Sequence, residues 1–159
     1  MQSKPTLAAI IVVFFILAAG ASRSAGATPP RDACSLLTQT QVSAGLGVTA
    51  GVTQTVDVPA LCIWAEPDGP NATHKRVVLT FITPDAFDSG KAPVTGITKT
   101  PVSGMGDDAY YGMMPGIATT LRVKKGTIAF SIEVKGNSFS VDQIKAIEKT
   151  LAQDALAKL

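Results

Sequence analysis

The stretch from residue 117 to residue 134 reads IATTLRVKKGTIAFSIEV, and it decides the fold. Thr119, Leu121 and Val123 alternate with more polar residues, and the apolar residues at 128, 130, 132 and 134 follow the same two-residue period. Because alternate residues of a strand point to the same face, this pattern predicts two antiparallel strands with one shared buried face. Gly126 lies between the two runs and supplies the positive φ that a tight turn requires. We therefore predict a β-hairpin over 117–134.

Two capping boxes predict helices on either side of the strand region. Thr38 with Gln41, and Ser140 with Gln143, both have the spacing in which a hydroxyl and an amide side chain satisfy the first backbone N–H groups of a helix. The first box predicts a short helix near 38–46 that stops at Gly47. The second predicts a C-terminal helix whose apolar stripe packs on the sheet; the stripe comprises Ile144, Ile147, Leu151 and Ala155.

Further runs of apolar and β-branched residues predict the remaining strands. These runs cover 52–58, 61–65, 75–82, 97–102 and a segment that resumes at 109, with a helical turn from Pro84 through Phe87. The order of elements favours an α+β fold. We predict a curved antiparallel sheet of about six or seven strands, with a short N-terminal helix and a C-terminal helix packed on one face.

The first 27 residues have the pattern of a signal peptide. Lys4 precedes an uncharged run of 14 residues from Leu7 to Gly20, and small residues follow at Ala25-Gly26-Ala27. A helix of that length rises only about 21 Å, which is short for a hydrocarbon core of about 30 Å. Cleavage near Ala27 is therefore expected, and it leaves residues 28–159 as a single domain with no stable membrane anchor. The alternative is that the segment is retained as an uncleaved membrane anchor. Lipidation of Cys34 is not expected, because the residues before it form no lipobox.

The net positive charge of the chain comes from this leader. Removing residues 1–27 takes away two of the 14 basic residues, Lys4 and Arg23, and leaves 12 against 12 acidic ones. A nucleic-acid partner is not expected, because phosphate attraction needs an uncompensated basic surface. The sequence thus predicts a periplasmic or secreted protein whose partner is an unknown protein or small ligand.

Cys34 and Cys62 are the only cysteines in the chain. Export places them in an oxidising compartment, where disulfides persist, and two cysteines allow one intramolecular pairing. We favour a structural disulfide that ties the opening helix to the strand around Cys62. Two alternatives remain open, a nucleophilic Cys34 with His74 as its base and a pair of metal-binding thiolates.

The sequence carries no recognisable catalytic motif. It lacks the common nucleophile, zinc and phosphate-loop patterns, and His74 is its only histidine. Asp107 and Asp108 are neighbours in an extended stretch, so their side chains point to opposite faces. We therefore predict no enzyme activity and no cofactor, and we rank a small hydrolase as the third hypothesis.

The segment Val102–Pro115 concentrates unusual side chains. It holds three of the four methionines and both tyrosines. One hypothesis is copper handling, with Met105, Met113 and Met114 as thioether ligands and His74 as a nitrogen ligand. A second is a ligand or partner surface formed by Tyr110, Tyr111, Met113 and Met114. The third is ordinary core packing, in which methionine fills irregular gaps beneath a glycine-kinked strand.

Four short motifs resemble a group of small exported bacterial proteins and lipoproteins of unknown function, many of them actinobacterial. The motifs are Asp32-Ala33-Cys34-Ser35-Leu36-Leu37-Thr38, Cys62-Ile63-Trp64, Gly104-Met105-Gly106-Asp107-Asp108-Ala109-Tyr110 and Leu121-Arg122-Val123-Lys124-Lys125-Gly126. The resemblance implies an α+β domain outside the cytoplasmic membrane with a Cys34–Cys62 bridge, and it brings no catalytic residues. The leading hypothesis is therefore a non-catalytic exported binding domain, with copper handling as the alternative.

Overall fold

The computed structural model describes residues 32–53, 58, 60–115 and 118–159. Its seven strands are β1 (Gly51–Val52), β2 (Leu61–Ala65), β3 (Arg76–Ile82), β4 (Thr98–Pro101), β5 (Asp108–Met114), β6 (Ala118–Lys125) and β7 (Ile128–Lys135). A 3-10 turn (Ala33–Leu36) precedes three helices, α1 (Gln39–Leu46), α2 (Pro84–Ser89) and α3 (Val141–Leu156).

All seven strands form one antiparallel sheet in the order β1-β2-β3-β7-β6-β5-β4. The sheet joins a hairpin, β2–β3, to a four-stranded meander, β4 to β7, through the pairing of β3 with β7. The chain crosses from β3 to the far edge of the sheet by way of α2. The predicted α+β fold with a terminal helix on one face is confirmed, and the sheet has seven strands where about six or seven were predicted.

The predicted hairpin is present as β6 and β7. Leu121 lies opposite Ile132 and Val123 opposite Phe130, and all four side chains are buried. Gly126 has a φ of 58° in the connecting turn, a conformation that glycine adopts without a Cβ clash. The two-residue period of the sequence thus determines which side of these strands faces the core.

Both predicted capping boxes close the helices that they precede. The Thr38 hydroxyl accepts from the Gln41 N–H at 3.2 Å, and the Gln41 side chain accepts from the Thr38 N–H at 2.9 Å. The Ser140 and Gln143 pair repeats this arrangement at 3.2 and 2.8 Å. Gly47 ends α1 with a φ of 65°, as predicted.

The main core lies between one face of the sheet and a layer formed by α3, α1 and the 3-10 turn. α3 contacts β6 and β7, and α1 packs against α3. Leu151, Ala152 and Ala155 of α3 are fully buried, while Ile144 and Ile147 are partly buried against the same core. The predicted apolar stripe therefore faces the sheet.

The disulfide joins Cys34 of the 3-10 turn to Cys62 of β2, with the two Cα atoms 5.0 Å apart. Trp64, two residues further along β2, is buried on the same side of the sheet. Cys62 is fully buried beside Trp64, so the disulfide anchors the start of the domain to the sheet. A disulfide of this kind fits an oxidising, exported location.

Two predictions fall partly or wholly outside the described residues. The strand expected over 52–58 is seen as the two residues of β1, and 54–57 lie outside the described part. The expected signal peptide, 1–27, also lies outside it. Within the residues that the structure describes, no helix is long and apolar enough to cross a membrane.

Candidate binding face

The second face of the sheet is covered only in part. Helix α2 lies on it and contacts β6 and β7. Phe87 is fully buried there against Tyr110 and Ala129, and the Phe87 and Tyr110 rings meet edge to face with centroids 5.1 Å apart. A small apolar cluster therefore fixes the crossover helix to one end of this face.

The strand register shows which side chains lie beside α2. One row of directly opposed residues runs across the sheet through Leu61, Thr80, Ser131, Arg122 and Tyr110. The adjacent row contains Ile63, Val78 and Glu133. Neighbouring strands are about 4.8 Å apart, so each row spans some 10–20 Å. We call these two rows, without the buried Tyr110, the open face.

One half of the open face is apolar. Leu61, Ile63 and Val78 are each half-buried, although they point away from the main core. An antiparallel sheet with one solvated face normally places polar side chains there. A contiguous group of partly exposed aliphatic side chains marks a candidate binding surface.

Lysines of this face and its margin form ion pairs. Lys124 Nζ contacts the Asp88 carboxylate at 2.8 and 3.0 Å, and this hydrogen bond lowers the pKa of Asp88. Lys135 lies 2.7 Å from Glu133, and Lys91 pairs with Asp108. These pairs neutralise much of the local charge.

Arg122 and Lys99 differ from these lysines. Both are half-buried, and neither has a carboxylate partner among the described residues. Arg122 donates to the Tyr110 hydroxyl at 3.1 Å, and Lys99 lies over the Tyr110 ring, 5.5 Å from its centroid. Burial and, secondly, repulsion by Arg122 lower the pKa of Lys99. The Tyr110 region therefore carries uncompensated positive charge.

The structure places the four residues of the predicted Tyr/Met surface apart. Tyr110 and Tyr111 are both buried and, as strand neighbours, point to opposite faces. Tyr111 donates to the Lys145 carbonyl of α3 at 2.8 Å, and burial raises its pKa to about 12. Met113 is half-buried and Met114 is 41% exposed. The four side chains therefore do not form one exposed surface.

The proposed copper ligands are likewise not brought together. Met105 is buried in the main core beside the end of β6, whereas Met113 lies opposite Thr119 near the start of that strand. Thr119 and Lys124, which mark these two ends, are five residues apart, so about 17 Å of strand separates them. His74 is exposed and precedes β3, with β7 and β6 between it and β5.

The two neighbouring carboxylates at the start of β5, Asp107 and Asp108, have separate structural partners. Asp107 accepts from the Gly126 N–H at 2.6 Å, which supports the hairpin turn, and Asp108 pairs with Lys91. In the described ranges, no group of three or more His, Cys, Asp or Glu side chains is placed to hold a metal ion.

Glu148 is a buried ionisable residue of the main core, on the other side of the sheet from the open face, and it was not predicted from the sequence. It is fully buried under α3, where its carboxyl group accepts from the Thr119 hydroxyl and from the Val134 N–H, each at 3.2 Å. Burial raises its pKa to about 8. The signal was present in the spacing, since Glu148 falls within the apolar stripe between Ile147 and Leu151.

No family model, curated protein or solved structure that was compared with the chain matches it. Its function is therefore argued from the open face and from the chemistry of the side chains that line it.

Proposed function

We propose that this protein is a non-catalytic exported domain that binds a small ligand or a partner on the open face of its sheet. One observation carries the proposal, namely the juxtaposition of the half-buried aliphatic side chains Leu61, Ile63 and Val78 with the half-buried cation Arg122 on one sheet surface. Binding sites combine an apolar lining with a few placed polar groups, and this face has both.

Export is supported by two independent features. The leader over residues 1–27 has the composition of a signal peptide. The Cys34–Cys62 disulfide is of the kind that persists outside the cytoplasm. A domain that meets its ligand in the periplasm or the medium accounts for both.

Copper handling and hydrolysis are not proposed, because no observation favours them. The thioether and imidazole groups lie on different elements, and Asp107 and Asp108 are engaged by Gly126 and Lys91. A binding function needs only the surface that α2 leaves accessible.

Methyl NMR tests the proposal directly. The protein, labelled at Leu, Ile and Val methyl groups, is mixed with concentrated periplasmic extract or medium from the exporting host. We expect shifts at the Leu61, Ile63 and Val78 methyls, because ligand atoms would pack on them. Val141 is 48% exposed at the start of α3 and serves as an internal control that does not shift.

A matched pair of variants sharpens the result. Ile63→Lys places a charge on the open face, whereas Val141→Lys places the same charge on α3. The proposal predicts that only Ile63→Lys abolishes the methyl shifts at Leu61 and Val78. The proposal would be ruled out if the Val141 methyls shifted as much as those of the open face. It would also be ruled out if neither the periplasmic extract nor the medium shifted the methyls of the open face.

A further inference from the structure

Two cations lie close to one aromatic ring on the second face of the sheet. The Lys99 ammonium lies 5.5 Å from the centroid of the Tyr110 ring, and the central carbon of the Arg122 guanidinium lies 5.9 Å from it. We call Lys99 and Arg122 the Tyr110 basic pair. Both distances are within the range of a cation–π contact, so the ring holds two like charges near each other.

The surrounding structure holds Arg122 in place. Its Nη1 donates to the Tyr110 hydroxyl at 3.1 Å, and that hydroxyl donates in turn to the Phe87 carbonyl at 3.2 Å. Gly90 follows α2 and packs so closely that a Cβ atom there would overlap both Arg122 Nη1 and the Tyr110 hydroxyl. The guanidinium is therefore preorganised, and most of its N–H donors have no assigned acceptor in the described part of the chain.

Lys99 reaches the same region because Gly112 lies directly opposite it in the register. A Cβ atom on Gly112 would come within 3.7 Å of Lys99 Nζ, so the lysine side chain lies over the bare glycine backbone. Ser131 and Thr120 flank Arg122 on the neighbouring positions and offer hydroxyl groups. Donors from three strands thus converge on the region beside Tyr110.

The neighbouring lysines differ from the Tyr110 basic pair because they have carboxylate partners. Lys124, on the same strand and face as Arg122, and Lys135 on β7 each have a carboxylate within 2.8 Å. In contrast, the Tyr110 basic pair is half-buried without one among the described residues. Like charges that are partly desolvated and unpaired are costly, and an anion between or beside them removes that cost.

We propose that the Tyr110 basic pair is an anion subsite that binds a carboxylate or phosphate group of the ligand of the open face. The inference rests on the proposed function, because it assigns a ligand chemistry to one end of that face. A ligand held there extends along the row through Ser131 and Thr80 toward the aliphatic half at Leu61. The ligand class is therefore a molecule with an anionic group and an apolar body.

The test is an NMR titration of the full chain, as the exporting cell processes it, with sodium phosphate and separately with sodium acetate. Ionic strength is held constant with sodium chloride. We expect saturable shifts of the Arg122 side-chain N–H and the Gly112 and Gly90 amides, with a dissociation constant on the order of 1 mM. The tighter of the two anions identifies the class of group that the subsite prefers.

A second readout follows from the electrostatics. A bound anion opposes both the burial and the Arg122 repulsion that lower the pKa of Lys99. The Lys99 Nζ resonance should therefore titrate at higher pH in saturating phosphate or acetate than in chloride. A merely structural role for Lys99 predicts the same titration in both salts.

Three variants distinguish anion binding at a specific site from nonspecific attraction to the positive charge of the protein. Lys99→Gln and Arg122→Gln should each weaken anion binding about tenfold, as the loss of a charged hydrogen-bond donor predicts. Lys124→Gln removes the same charge from the same face but from a side chain already paired with Asp88, and it should leave binding unchanged. Lys99→Gln alters a half-buried lysine at an edge strand, so it keeps the test decisive if Arg122→Gln fails to fold.

The inference is overturned if neither anion gives saturable shifts, or if Lys124→Gln weakens binding as much as Lys99→Gln. These results leave the proposed function standing if the Leu61, Ile63 and Val78 methyls still respond to host extract. Conversely, anion binding that depends on Lys99 and Arg122, without any methyl response, would support the subsite and contradict the wider binding face.

Discussion

Glu148 is a carboxyl group buried within the apolar stripe of α3. Thr119 and the Val134 N–H hydrogen-bond to it, Tyr111 lies nearby on β5, and Glu133 and Lys145 act on it with opposite signs. Burial is the largest influence and raises its pKa from 4.5 to about 8. In the folded protein, this carboxyl group is therefore mostly protonated below about pH 8.

This shift makes stability depend on pH. The unfolded chain releases the Glu148 proton near its ordinary pKa of 4.5, while the folded chain keeps it until about pH 8. The contribution of Glu148 to the free energy of unfolding should thus be greatest below pH 4.5 and fall as the pH rises toward 8, by on the order of 1 kcal/mol per pH unit within that window. Urea unfolding at a series of pH values measures this slope.

The Glu148→Gln variant should remove the slope. Glutamine retains an acceptor for Val134 and has no proton to lose, so we expect about 3 kcal/mol more stability than the wild type at pH 7. Asp154→Asn is a control on the same helix, at the groove that faces α1. A wild-type slope that survives in Glu148→Gln would show that another group is responsible.

Gly90 offers a second prediction for a single residue. A methyl group at Gly90 would overlap Arg122 Nη1 and the Tyr110 hydroxyl and approach the Ala86 carbonyl to 2.9 Å. We expect Gly90→Ala to lower the free energy of unfolding by about 1–3 kcal/mol, as overpacking usually does. Gly69→Ala is the matched control, since a Cβ atom there meets nothing within 4 Å. Thermal unfolding of the two variants compares them, and equal melting temperatures would contradict the packing argument.

At the level of single residues, the sequence predicted which side chains bond to each other more readily than it predicted which side chains are buried. The cysteines and both capping boxes are short-range or uniquely paired, so their partners follow from the chain itself. Tyr110 acquires its environment from Phe87 of α2, and Glu148 of α3 acquires its own from Thr119 of β6 and Val134 of β7, which lie 29 and 14 residues away in sequence. Their roles depend on tertiary packing, which local pattern does not specify.

At the scale of elements, the disulfide ties the 3-10 turn to β2 across a separation of 28 residues. On the chain-entropy estimate, such a loop stabilises the fold by about 3.5 kcal/mol. Reduction, or the double change Cys34→Ala with Cys62→Ala, should lower the free energy of unfolding by that amount in urea titrations. Reducing agent should not change the free energy of unfolding of the double variant. A decrease in that variant would show that reducing agent acts on something other than the disulfide.

The cap of α3 gives a further prediction. Ser140 satisfies the Gln143 N–H, and the helix that follows covers β6 and β7. Ser140→Ala should therefore cost about 1 kcal/mol of unfolding free energy. Ser138→Ala, just before the cap, is the comparison, and urea unfolding distinguishes them. The prediction fails if the two variants are equally stable.

The elements themselves were largely predictable from the chain, and their arrangement was not. Period-two alternation marked β6 and β7, runs of apolar and β-branched residues marked β2 and β3, and the capping signals marked α1 and α3. The order of the strands depends on the pairing of β3 with β7, which joins segments roughly 50 residues apart. The placement of α2 on the second face follows from that crossover, so the open face could not be outlined beforehand.

At the scale of the whole molecule, processing of the leader decides the charge of the protein. If the leader is removed near Ala27, the remaining chain has equal numbers of acidic and basic residues. We expect the intact mass of the exported protein to match residues 28–159 less two hydrogen atoms. Mass spectrometry before and after reduction measures both features. A mass that includes residues 1–27 would instead indicate a retained leader.

The pairing of β3 with β7 also has a consequence for the timing of folding. Val77 meets Val134 at the centre of the sheet, so that centre cannot form until nearly the entire polypeptide is available. Contacts of such long sequence separation slow folding. A growing chain of this design therefore carries its β2–β3 hairpin without its central partner until β7 (Ile128–Lys135) has been synthesised, with only α3 still to follow.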